Sequence, residues 1–146
     1  MNRLIIVLTV LLSNVLNLSA QKITNAGDLK EFYLKYLTYS IKISDERKQD
    51  SLVTVYSTQE MYKAWNEDYN EIGLYDPFTN GIGENIDLMK RTLTVKREKD
   101  HYVISFGCLT WPENKFVLEN VIVYVNSEGK ISHTVRPSDN YWTPTK

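Results

Sequence analysis

The sequence predicts an α+β domain in which two to three N-terminal helices pack on a four-stranded antiparallel meander. Three observations carry that prediction. Between residues 28 and 72 the apolar side chains recur at spacings of three and four. From residue 92 onward the period changes to two. The strand-like segments are then joined by connectors too short for a crossover, which makes the sheet a meander. Helices segregated before an antiparallel sheet define the class.

Residues 1–20 read as a secretory signal peptide. Arg3 supplies the positive start, residues 4–12 an apolar run, and residues 13–20 a polar stretch ending in small residues before Gln21. Ser13, Asn14 and Asn17 interrupt the apolar run before it is long enough to span a bilayer. Cleavage after Ala20 leaves a single domain over 21–146, with its core over about 28–136. Leu18, bulkier than usual at the position three before the cut, keeps a retained anchor as the rival reading. A lipid anchor needs a Cys where Gln21 stands.

The first helix is expected over 28–41. Leu29, Phe32, Tyr33, Tyr36, Leu37 and Ile41 make one face, Asn25 is a suitable N-cap, and Asp28 suits the first turn. Ser44 is a cap candidate for a second, shorter helix over 45–54, whose start is entirely polar. Ser57 and Glu60 have capping-box spacing, with Tyr56 placed to staple onto Met61. A third helix is therefore expected to run to about Tyr69, with Met61, Trp65, Tyr69 and then Ile72 as the inward residues and Gly73 as its stop. Gly, Pro and Asn cluster over 75–83 as a structured loop. Four strands follow over 92–97, 101–109, 116–126 and 131–136, and the tail beyond Pro137 is irregular.

This order of elements resembles the NTF2-like or cystatin-like architecture. Tyr56-Ser57-Thr58 at a helix start, and Tyr75-Asp76-Pro77-Phe78 with Asn80-Gly81 after that helix, resemble the DUF3828 family of small exported bacterial domains. Two departures from the family pattern stand out. Leu74 replaces a commonly acidic residue, and Ile82-Gly83 a commonly polar pair. The resemblance covers about 28–135, and it implies the fold and an extracytoplasmic compartment rather than an activity.

Charge is nearly balanced, with 17 Lys plus Arg against 18 Asp plus Glu, which argues against a nucleic-acid partner. The single Cys108 cannot form an internal disulfide. Its strand face, shared with Ile104 and Phe106, makes it a small buried hydrophobe rather than a nucleophile. His101 and His133 lack the spacing of metal or triad chemistry. A calcium loop beginning at Asp76 would put Phe78 where an oxygen ligand is needed. No metal, cofactor or catalytic residue is therefore expected.

Four residues are candidates for binding: Tyr75, Asp76, Phe78 and Trp111. Asp76 before Pro77 can instead brace its own turn by accepting backbone N–H groups. Trp111-Pro112 at a hairpin tip is either tucked onto the sheet rim or presented to a partner. The expected function is an exported, non-enzymatic module binding another envelope protein or a small ligand, with homodimerisation through an open sheet face as a further option. An immunity-type inhibitor of a cell-wall-directed toxin is its specific form. The alternative is an enzyme using an NTF2-like cone, with Asp76, Tyr102 or Tyr124 as acid or base. An assembly subunit would expose Val117, Val121, Val123 and Val125 on the open face.

Overall fold

The computed structural model describes residues 21–41, 45–67, 76–79, 85–110 and 112–135. Asn25 caps the first helix, α1 (Ala26–Tyr39), its side chain accepting the N–H groups of Gly27 and Asp28 at 2.7 and 3.1 Å. The helix stops two residues before the expected end, so Ile41 is exposed rather than on the apolar face. The second helix, α2 (Glu46–Tyr56), runs two residues past its expected end and buries Leu52, Val53 and Tyr56. Ser44, its expected cap, lies outside the described residues.

The expected Ser57 cap is corrected by one residue. Ser57 is extended and bridges Ile131, and the Thr58 N–H donates to the Ile131 carbonyl at 2.9 Å. That tie to the last strand moves the cap to Thr58, whose hydroxyl accepts the Met61 N–H at 3.2 Å. Helix α3 (Gln59–Trp65) buries Met61 and Trp65 as expected. Its expected continuation to Tyr69, Ile72 and Gly73 lies outside the described residues.

A fourth helix, α4 (Ile86–Thr92), occupies the stretch between the expected loop over 75–83 and the first expected strand, to which the sequence analysis assigned no element. Asn85 caps it by accepting the Leu88 N–H at 3.0 Å. At two turns it is too short to show a clear period, but its last residue displaces the expected start of the first strand.

The strands are β1 (Thr94–Arg97), β2 (Tyr102–Leu109), β3 (Phe116–Val125) and β4 (Ile131–Val135), in the order β1-β2-β3-β4 and antiparallel throughout. Just before the start of β1, the Thr92 hydroxyl accepts the Gly107 N–H at 2.7 Å and so extends the ladder. The β3–β4 turn places Gly129 at φ 79°, and the Gly129 carbonyl accepts the Ile23 N–H at 2.9 Å. A Cβ there would lie 2.8 Å from Lys22 Cβ, against backbone already at positive φ. Gly129→Ala is expected to cost about 1–2 kcal/mol, read as a lower thermal midpoint; an unchanged midpoint would mean the turn adapts.

Alternation gives the sheet two unlike faces. Tyr102, Ile104, Phe106, Cys108, Val121 and Val123 are buried on one of them, with Ile131 of β4 also in the core. Against that layer α1 packs on β1, α4 on β2 and α3 on β4. The centre between helices and sheet is aromatic. Phe32 of α1 touches Tyr33, Tyr36, Tyr56 and Phe78 at centroid distances of 5.3–5.9 Å. The other sheet face carries no helix among the described residues.

The expectation that Val121 and Val123 face outward is corrected. They are 1% and 0% exposed, on the helix-covered face, because the register pairs them with buried Ile104 and Tyr102. The outward positions of β3 are the even-numbered ones.

Candidate functional site

Of the four candidate binding residues, Tyr75 and Trp111 lie outside the described residues. Asp76 and Phe78 are both internal, at 6% and 0% exposure. The Asp76 carboxylate accepts the Phe78 N–H at 2.9 Å and the Thr79 hydroxyl at 2.7 Å, and it is also hydrogen-bonded by the Tyr36 hydroxyl. The Tyr36 oxygen in turn accepts the Trp65 indole N–H at 2.8 Å. A connected polar chain therefore runs from α3 through α1 to the turn. Burial pushes the Asp76 carboxyl above its ordinary range, opposed by the hydrogen bonds from Thr79, Phe78 and Tyr36. With Asp76 as the brace, the 76–79 turn inserts the Phe78 ring against Tyr36 at 5.0 Å and Phe32 at 5.3 Å. In chemical terms this arrangement fixes a loop onto a helix.

Accessible chemistry lies on the uncovered sheet face. At one end Leu109, Phe116 and Leu118 are 36%, 50% and 60% exposed. Leu109 pairs with Phe116, and Gly107 with Leu118, so the three form one patch. Gly107 makes this packing possible, since a Cβ there would sit 2.5 Å from Phe116 Cε2. The Phe116 ring therefore lies across bare backbone. The loop joining Leu109 to Phe116 is the one that carries Trp111. In the middle of the face, the Ser105 hydroxyl donates to the Asn120 side-chain oxygen across the strands at 2.6 Å.

At the other end stands a row that sequence reasoning missed. Tyr124 is stacked on His133 at 4.1 Å and 9°, and His101 approaches its other side at 5.4 Å. Register explains the row: Tyr124 pairs with His133, and His101 precedes Tyr102, the partner of Val123. A β-bulge between Tyr124 and Val125 breaks the simple count through the hairpin, which is why the pairing was not evident. His101 Nδ1 lies 2.8 Å from the Asp100 carboxylate, while burial holds the His133 ring below its ordinary pKa. Tyr102 and Tyr124, weighed together as acid or base, are on opposite faces of the sheet. Cys108 is buried and its thiol is pushed up to about 11, mainly by burial, so it stays protonated. No group of three His, Cys, Asp or Glu side chains clusters as a metal site among the described residues.

Two clefts border α2. One, of about 450 Å³, lies toward α1 and is lined by Lys35, Tyr39, Arg47, Lys48, Leu52 and Val55. Its lysines are already paired, Lys35 with Glu31 at 2.6 Å and Lys48 with Asp45 at 2.7 Å. The other, of about 470 Å³, lies toward α3 and is lined by Glu46, Arg47, Gln49, Asp50 and Trp65.

The fold and these surfaces define the class: a helix-backed antiparallel meander with one sheet face that no helix covers among the described residues. Compared with family models, characterised proteins and solved structures, the chain has no significant match. Among the described residues no helix is long and apolar enough to cross a membrane.

Proposed function

We propose that this chain is an exported, non-enzymatic binding module that recognises another envelope protein through the uncovered sheet face. The observation that carries this reading is the exposed Leu109, Phe116 and Leu118 patch on one rigid sheet. Large apolar side chains gathered on a surface cost solubility unless a partner covers them, and aromatic anchors of this kind dominate protein interfaces. The His101–Tyr124–His133 row adds a flat, amphipathic second contact at the far end of the same face. Export rests on residues 1–20, which have the composition of a signal peptide. The resemblance to the exported DUF3828 domains points the same way. An immunity-type inhibitor, docking such a face onto a secreted wall-directed toxin, is the specific form we favour.

An enzyme with a catalytic cone is the weaker reading. Asp76 is engaged by Tyr36, Thr79 and Phe78, and the rings of Phe32, Tyr36 and Phe78 beside it are fully buried against one another.

The test is co-purification from envelope extracts of the native host, with the captured protein identified and the complex rebuilt from pure components. Replacing Phe116 and Leu118 together by Asp is expected to abolish the complex while shifting stability by no more than about 0.5 kcal/mol per site, as exposed positions normally do. A rebuilt complex that tolerates the double replacement would reject the sheet face as the docking surface. Concentration-dependent self-association that the same replacements remove would point to a second copy as the occupant.

A further inference from the structure

One stretch of the sheet edge is left open. β3 runs from Phe116 to Val125, but β4 pairs with it only over 122–125. Backbone groups along β3 point alternately toward β2 and away from it. The Lys115 carbonyl accepts the Thr110 N–H at 2.9 Å and closes the ladder with β2, while the Asn126 N–H donates to the Lys130 carbonyl on the β4 side. By that alternation the N–H and C=O groups of Phe116 and Leu118 point away from β2, where no strand pairs with them among the described residues. If β4 ran on in register, Pro137 would fall opposite Asn120, and it has no N–H to give the ladder. The other edges are guarded. Ser57 bridges Ile131 on β4, and β1 carries Lys96 and Arg97.

We propose that the open edge of β3 pairs antiparallel with the same edge of a second copy of this chain, about a two-fold axis at Val117. Residues 115–119 read Lys-Phe-Val-Leu-Glu, a segment complementary to its own reverse. Centred on Val117, the pairing sets Phe116 opposite the partner's Leu118, and Lys115 opposite the partner's Glu119. Each contact occurs twice, as a two-fold interface requires. The outward N–H and C=O groups of Phe116 and Leu118 then exchange both hydrogen bonds with their opposites, and no like charges face each other. Lys115 and Glu119 make no ion pair among the described residues, so both are available to the joint. Centring on Leu118 instead would set Glu119 against the partner's Val117 and Phe116 against the partner's Asn120, losing both matches. The joint places both open faces on one side of a continuous sheet, where the two Leu109, Phe116 and Leu118 patches adjoin. Lys115 and Glu119 fall on the alternate positions, off that face, so this inference is independent of the protein-binding reading.

Sedimentation velocity of the purified protein, from about 1 μM to about 1 mM, tests the proposal. A monomer–dimer equilibrium is expected, with a Kd of about 10–100 μM because a short strand joint buries little area. Lys115→Glu sets two pairs of carboxylates against each other, and Glu119→Lys two pairs of ammonium groups. Each is expected to weaken the dimer about tenfold or more. Lys115 is exposed beside a hairpin loop, so Lys115→Glu does not burden folding. An equimolar mixture of the two variants is expected to regain the parent affinity as a heterodimer, since every charge then meets its opposite. A parent chain that stays monomeric to about 1 mM would overturn the proposal. So would a dimer that Lys115→Glu leaves unchanged, or a mixture no more associated than its components. These results leave the envelope-protein reading untouched, because that reading is judged by the rebuilt complex and by the Phe116 and Leu118 side chains.

Discussion

Phe78→Ala is expected to cost about 3–5 kcal/mol, the range for deleting a fully buried phenyl ring. Phe78 is 0% exposed and its ring meets Phe32, Tyr33 and Tyr36 at 5.0–6.4 Å. Domains of this size are held by roughly 5–15 kcal/mol in total, so the variant should be near the limit of folding. Urea titration of the variant against the parent measures the loss, as a lowered midpoint at unchanged slope. A cost below about 1 kcal/mol would show that the surrounding rings collapse into the gap, and it would return Phe78 to the list of binding candidates.

The second large effect concerns Asp76 and depends on pH. Asp76→Ala strands the Phe78 N–H and removes the acceptor for the Thr79 and Tyr36 hydroxyls. The stranded amide alone costs about 1–3 kcal/mol. In the native protein the carboxyl titrates above its ordinary 3.8 because burial penalises its charge. The sign follows directly. At pH well below 3.8 the folded and unfolded chains both hold the proton, and the contribution of Asp76 is complete. As pH rises past 3.8 the unfolded chain releases its proton first, so this contribution falls until the folded carboxyl also ionises. Asp76→Asn, which cannot titrate, is expected to lack that decline. Stability of the parent relative to Asp76→Asn should therefore decrease as pH rises above 3.8 and then level off. A relative stability that climbs over the same interval would mean that the three donors outweigh burial and hold the carboxylate charged.

Much of the architecture was legible before folding was considered. The apolar spacing of Leu29, Phe32, Tyr33, Tyr36 and Leu37 placed α1, and all five are buried. Asn25 was recognisable as its cap because an Asn before such a run can satisfy free N–H groups. The alternation of Tyr102, Ile104, Phe106 and Cys108 identified the covered face of β2. Where β3 was misread, the cause lies in its composition. Phe116, Val117 and Leu118, and then Val121, Ile122 and Val123, are apolar on consecutive positions, so period two does not distinguish its faces. Helix α4 was missed because seven residues offer too little periodicity to outweigh the Gly and Asn before them.

The candidate site was less legible than the fold. Asp76 and Phe78 attracted a functional reading because they are distinctive in sequence, yet that distinctiveness serves a buried turn. The His101–Tyr124–His133 row depends on three segments and a bulge.

By itself the sequence determined the type and order of most elements and the meander connection, because backbone periodicity and short connectors are local properties. Only the tertiary structure decided which face of β3 lies under the helices, that Asp76 is internal and hydrogen-bonded by Tyr36, and that Gln49 is left without a partner. Each of those outcomes is set by register and docking between segments distant in the chain. A shift of one residue in strand pairing exchanges every inward side chain for an outward one, and no local pattern fixes it when both faces of a strand are apolar.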